Sequence, residues 1–107
     1  MAPLFSTLFL SGSPGSVQPY TVPAGHVAVV RCVTAYNNGG PDKALVAVSA
    51  GSPAVNIVWA QLGVYPTPSV PAYLSWDIRV VVNAGGTISL GGNASIVATV
   101  SGYLLSS

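Results

Sequence analysis

The chain has 107 residues, half of them hydrophobic, with three Lys or Arg against two acidic residues and a formal charge of +1. Its charged fraction is 5%, against about 25% in an average soluble domain, and its mean hydropathy is +0.63. One domain is the natural count; the composition excludes a disordered chain and a phosphate-tracking nucleic-acid binder, for which Arg31, Lys43 and Arg79 are too few.

The N-terminal segment Met1 to Leu10 has no basic residue, so it reads as a strand and not as an export signal. The predicted strands then run as follows. Phe5 to Ser11 is ended by Gly12-Ser13-Pro14-Gly15, and Gln18 to Val22 by Pro23-Ala24-Gly25. Val27 to Tyr36 is the longest apolar run; Arg31 interrupts it, and it is far short of the ~20 residues of a membrane-spanning helix. It stops at Asn37-Asn38-Gly39-Gly40-Pro41, a cluster that tolerates positive φ. Ala44 to Ala50 and Ile57 to Leu62 follow, then a loop from Gly63 to Ala72 stiffened by Pro66, Pro68 and Pro71. Tyr73 to Val82 ends at Asn83-Ala84-Gly85-Gly86. Thr87 to Leu90 and Ala94 to Leu105 close the chain, with Gly91-Gly92-Asn93 expected as a tight hairpin between them.

Glu is absent, Val dominates, and no stretch shows helical spacing of its apolar residues. About eight short strands between turn clusters predict an all-β fold: one antiparallel, jelly-roll-like β-sandwich over residues 1–107, with 1–19 as an N-terminal arm or edge strand. The segments Val22-Pro23-Ala24-Gly25 and Val82-Asn83-Ala84-Gly85 echo each other as one turn chemistry used twice.

Strict alternation puts Val27, Val29, Arg31, Val33 and Ala35 on one face of the third strand, and Ala28, Val30, Cys32, Thr34 and Tyr36 on the other. Apolar residues on both faces mean that both faces are covered. With no helices to do the covering, copies of the chain or neighbouring proteins are the expected cover.

Little in the chain suggests chemistry. His26 and Cys32 are each the sole residue of their type, so no metal-ligand spacing and no disulfide framework arises. Asp42 lies in a turn cluster, and Asp77 sits two residues from Arg79 on a strand, which predicts an ion pair. No nucleophile elbow accompanies the single His, and no helix or Lys follows the Gly pairs to cradle a phosphate. The expectation is a protein that is not an enzyme, with no cofactor and no metal. Asn93-Ala94-Ser95 matches a glycosylation sequon in form only.

Four segments carry a resemblance. They are Tyr20-Thr21-Val22-Pro23-Ala24-Gly25-His26-Val27-Ala28-Val29-Val30-Arg31, Ala35-Tyr36-Asn37-Asn38, Trp76-Asp77-Ile78-Arg79-Val80-Val81-Val82-Asn83-Ala84-Gly85-Gly86-Thr87-Ile88-Ser89 and Val100-Ser101-Gly102-Tyr103-Leu104. From about Tyr20 to Leu105 the chain resembles the small β-sandwich virion structural proteins of tailed bacteriophages. It departs from them at Gly86, where an acidic residue is usual, and in its lower charge. The resemblance implies a minor tail protein assembled in the host cytoplasm, or a capsid decoration protein of the same fold. Its partners would be copies of itself, with threefold closure as the expectation, and other virion proteins. The contact residues expected are Leu4, Phe5, Leu8 and Phe9 in the N-terminal arm, with Trp59, Tyr65, Tyr73, Trp76 and Arg79. The aromatic residues around the Gly63–Ala72 loop leave open a third reading, a platform for host-surface carbohydrate.

Overall fold

A computed structural model of the protein describes residues 4–39, 43–63 and 72–106, with side chains from Thr7 onward. It contains eight strands: β1 (Leu4–Gly12), β2 (Tyr20–Thr21), β3 (His26–Asn37), β4 (Ala44–Gly51), β5 (Ala54–Leu62), β6 (Tyr73–Val82), β7 (Thr87–Gly92) and β8 (Ile96–Ser106). They form two four-stranded sheets, β1-β8-β3-β6 and β2-β7-β4-β5, and every described pairing is antiparallel. Strand β1 pairs with β8, β2 with β7, β3 with β6 and β4 with β5. This is one long hairpin, folded at the β4–β5 turn and rolled up: the jelly roll.

Among the described strands, the one consecutive pair that are hydrogen-bonded neighbours is β4 and β5. The expected hairpin at Gly91-Gly92-Asn93 is therefore a crossover, since β7 lies in the second sheet and β8 in the first. Turn residues report where the backbone needs a special φ, not which sheet the next strand joins. Asn93 extends the β4–β7 ladder instead: its N–H donates to Leu45 O at 2.9 Å, and its Oδ1 accepts from Leu45 N at 2.7 Å.

The echoed turns match in geometry. His26 N donates to Pro23 O at 3.2 Å and Gly86 N to Asn83 O at 3.0 Å, with Gly25 and Gly85 at φ of 78° and 85°. A glycine at the third position of a four-residue turn at such φ is the type II arrangement. The two turns also meet, because Val22 N donates to Gly86 O and Gly85 N to Val22 O, both at 2.9 Å. Gly86 thus serves the turn through its backbone.

The core lies between the sheets. Strand β4 contributes Ala44, Val46, Val48 and Ala50, and β8 contributes Ile96, Ala98 and Val100, all inward and buried as alternation predicts. Strand β3 departs from strict alternation. Its pairing with β8 shifts between Val30 and Cys32, so Arg31 is an extra residue opposite the Gly102–Ser101 step. This β-bulge moves every later side chain to the other face. The inner set is Ala28, Val30, Val33, Ala35 and Asn37; the outer set is Val27, Val29, Cys32, Thr34 and Tyr36. The expected mixed faces were a period-two reading carried through a bulge. Gly102 permits the bulge, because a Cβ there would collide with the Val29 carbonyl oxygen.

Two buried clusters fill the interior, one around Val30, Val48 and Ile88 and one around Val46, Leu62 and Ile96. Trp76 and Leu90 pack against both. Asn37 is the buried polar residue among the described ones. Its Nδ2 donates to Leu62 O at 2.9 Å, tying β3 to β5 in the opposite sheet.

Candidate interaction surfaces

The outer face of the first sheet can be read across its four strands from the register. At one end Val81, Val29 and Tyr103 stand in a row. Val29 is buried there, although it points away from the core, while Val81 and Tyr103 are exposed. In the middle Asp77, Cys32, Ser101 and Leu8 form one row, and Ser75, Thr34, Thr99 and Ser11 the next. At the far end Tyr73, Tyr36 and Val97 are cross-strand neighbours, and both tyrosines are exposed. Charge is confined to the middle: Arg31 Nη2 lies 3.6 Å from Asp77 Oδ1, and Arg79 is exposed on the same strand face as Asp77. The ion pair of Asp77 is thus with Arg31, which the bulge brings across from β3, and not with the sequence neighbour Arg79.

The outer face of the second sheet is built differently. Along β4 the outward residues are Leu45, Ala47 and Ser49. Ala47 has Trp59 of β5 on one side and Gly91 of β7 on the other; Ser49 has Asn56 and Ser89. Ser49 Oγ donates to Asn56 Oδ1 at 2.7 Å. Among the described residues this face carries no charged side chain; Trp59 is 58% exposed, and at one end the exposed Gln61 stands beside the half-buried Leu45.

The expected contact residues fall into separate places. Leu8 is 60% exposed and Tyr73 57%, both on the outer face of the first sheet. Phe9 is corrected to a core residue: it follows the outward Leu8 by alternation and is 6% exposed, and the β1 bulge between Leu8 and Leu10 turns Leu10 inward beside it. Its ring centroid lies 5.1 Å from that of Tyr20. Trp76 is likewise corrected, because it alternates inward on β6 and packs between the two core clusters. Leu4 and Phe5 belong to β1, an edge strand paired with β8, so residues 4–12 are not a detached arm. Their side chains, with Tyr65 and Asp42, lie outside the described residues. The aromatic platform does not assemble from its described members: Trp59 faces out from the second sheet, Tyr73 from the first, and Trp76 points between them. No residue pattern warns of this, because strands that flank one loop can sit in opposite layers. The exposed Tyr36, Val81 and Tyr103 were not anticipated as contacts, although Tyr36 and Tyr103 stand on the outward face once the bulge is placed.

His26 begins β3, and its Nδ1 lies 3.1 Å from Ala24 O, donating as the Nδ1–H tautomer. Asp77 is opposite Cys32, about 15–20 Å further along the strand at the usual rise per residue, so His26 and Asp77 do not share a site. Among the described residues no three of His, Cys, Asp and Glu cluster as metal ligands would, and no helix is long and apolar enough to cross a membrane. No protein-family model matches the chain, and no curated protein matches it significantly.

Proposed function

We propose that the chain is a structural component of a tailed-bacteriophage virion, a minor tail protein that works by burying its outer faces against copies of itself and against neighbouring virion proteins. The observation that carries this reading is the set of large apolar side chains left exposed, Leu8, Tyr36, Val55, Trp59, Tyr73, Val81 and Tyr103, on a chain with five charged residues. Isolated soluble domains stay dispersed in water with about five times that charged fraction. A standard interface of ~1,600 Å², at ~25 cal/mol per Å² of apolar area, has the gross hydrophobic term to hold such a surface before association entropy is subtracted. The resemblance over Tyr20 to Leu105 supplies the virion setting.

A capsid decoration protein is the second reading and differs only in where the chain docks. Separating heads from tails, and locating the chain in a cryo-EM map of the intact particle, tests both. Density in the tail supports the proposal, density on the head moves it to the second reading, and absence from the particle overturns both. Less supports the carbohydrate platform: Trp59 and Tyr73 are both exposed, but they stand on the outer faces of different sheets.

A further inference from the structure

The geometry points to the outer face of the second sheet as a self-complementary surface that pairs with the same face of a second copy. This deepens the proposed function and rests on its premise of self-association. Trp59 and Gly91 flank Ala47 at one strand spacing on either side, about 4.8 Å each. A two-fold axis laid along β4, in the plane between two such faces, carries each Trp59 onto the partner's Gly91. The same operation brings Asn56 over Ser89, its counterpart across Ser49. The β5 side of the face is therefore the raised half, and the β7 side the low half that receives it. A closed two-fold contact requires this kind of match.

Gly91 carries the argument furthest. Its φ is not in the left-handed region, and an added Cβ would meet nothing nearer than Ala47 O at 4.0 Å. The fold does not require glycine there. Any side chain at that point would stand on the ledge where the partner's indole is to lie. The face also has no described charged side chain to desolvate, whereas the other outer face presents Arg31, Asp77 and Arg79. Strand β4 is eight residues long, about 26 Å, and with its two neighbours makes a face about 14 Å wide, an area of about 400 Å² per partner that fits a weak, concentration-dependent contact, against about 800 Å² in a standard stable one.

Sedimentation or light scattering of the full chain over a concentration series tests this with three variants. Gly91→Asp and Trp59→Ala alter the face, and Ser75→Asp places a charge on the opposite one. Thermal melts check that each variant folds, and Trp59→Ala keeps the test valid if Gly91→Asp does not. The expected result is a wild-type dimer whose Kd rises at least tenfold with Gly91→Asp or Trp59→Ala and is unchanged by Ser75→Asp. Association that ignores folded face variants, or is broken by Ser75→Asp alone, overturns this face while leaving self-association standing. A wild type that stays monomeric at every concentration overturns the pairing, and the particle map then decides the virion role separately. Soluble oligosaccharide that quenches tryptophan emission of a monomeric wild type, but not of Trp59→Phe, overturns it in favour of a sugar-stacking ledge.

Discussion

The outer face of the first sheet carries Arg31, Asp77 and Arg79 between two apolar ends, whereas that of the second presents mostly small side chains, with Leu45 and Gln61 at one end and one exposed indole, Trp59. Both faces belong to strands with well-filled inner sides, so the difference is not forced by the core. It comes from the backbone. The first sheet is bulged at Arg31, and its close approach at Gly102 leaves an irregular, partly charged surface. In the middle of β4 the second sheet keeps a regular run, Val46 to Val48, paired in register on both sides, before a shift beyond Val48 on the β5 side. Regular pairing lays cross-strand side chains in level rows, and small residues in those rows make a flat surface. Composition alone treats the two faces as one apolar exterior; register separates them.

The sharpest way to break this contrast is at the two glycines. Gly102→Ala forces a Cβ into the Val29 carbonyl and is expected to cost about 3 kcal/mol or prevent folding, read as loss of soluble protein or a fall in the urea midpoint. Gly91→Ala, in open space, is expected to be neutral or to stabilise by up to about 0.5 kcal/mol in the same assay. Equal costs at the two positions would dissolve the distinction.

The two tryptophans offer the next contrast. Trp76→Ala removes the side chain packed against both core clusters and should cost about 3 kcal/mol. Trp59→Ala, from an exposed site, should change the stability of the monomer by less than about 0.5 kcal/mol. Thermal melts at low concentration separate the two. A smaller loss is expected for Asn37→Ala, which leaves Leu62 O without its cross-sheet donor and should cost about 1–2 kcal/mol, with faster hydrogen exchange at the β5 end. Smallest of all is Asp77→Asn. The Arg31–Asp77 pair is long, at 3.6 Å, with the Asp77 side chain 89% exposed, so the change should stay below about 0.5 kcal/mol, and the urea midpoint of the wild type should move little between low and high salt.

Most of the architecture was legible in the residues. Tyr73–Val82 is a strand with the predicted limits, and the burial of Val46 and Val48, and of Ile96, Ala98 and Val100, follows from alternation between turn clusters. What escaped is non-local. The bulge at Arg31 depends on a glycine in β8, and the bulge at Phe9 depends on register against the same strand; neither leaves a mark on its own segment. The layer to which a strand belongs is equally silent, which is why Trp59 and Tyr73 read as neighbours across one loop. The paired rows of β5, β4 and β7 are visible only once those strands, distant in the chain, are side by side.

The rolled pairing also sets an order of events. Strand β1 has no sheet partner among the described strands except β8, and the ladder joins Leu4 to Leu105. During synthesis, the nine uncharged residues Leu4–Gly12 must wait for nearly all the rest of the chain before they can close a sheet, an arrangement that slows folding and prolongs the exposure of an unpaired strand. Expression yield should therefore depend on whatever shields that strand in the nascent chain, and a circular permutant that places β1 directly after β8 should fold faster than the natural order.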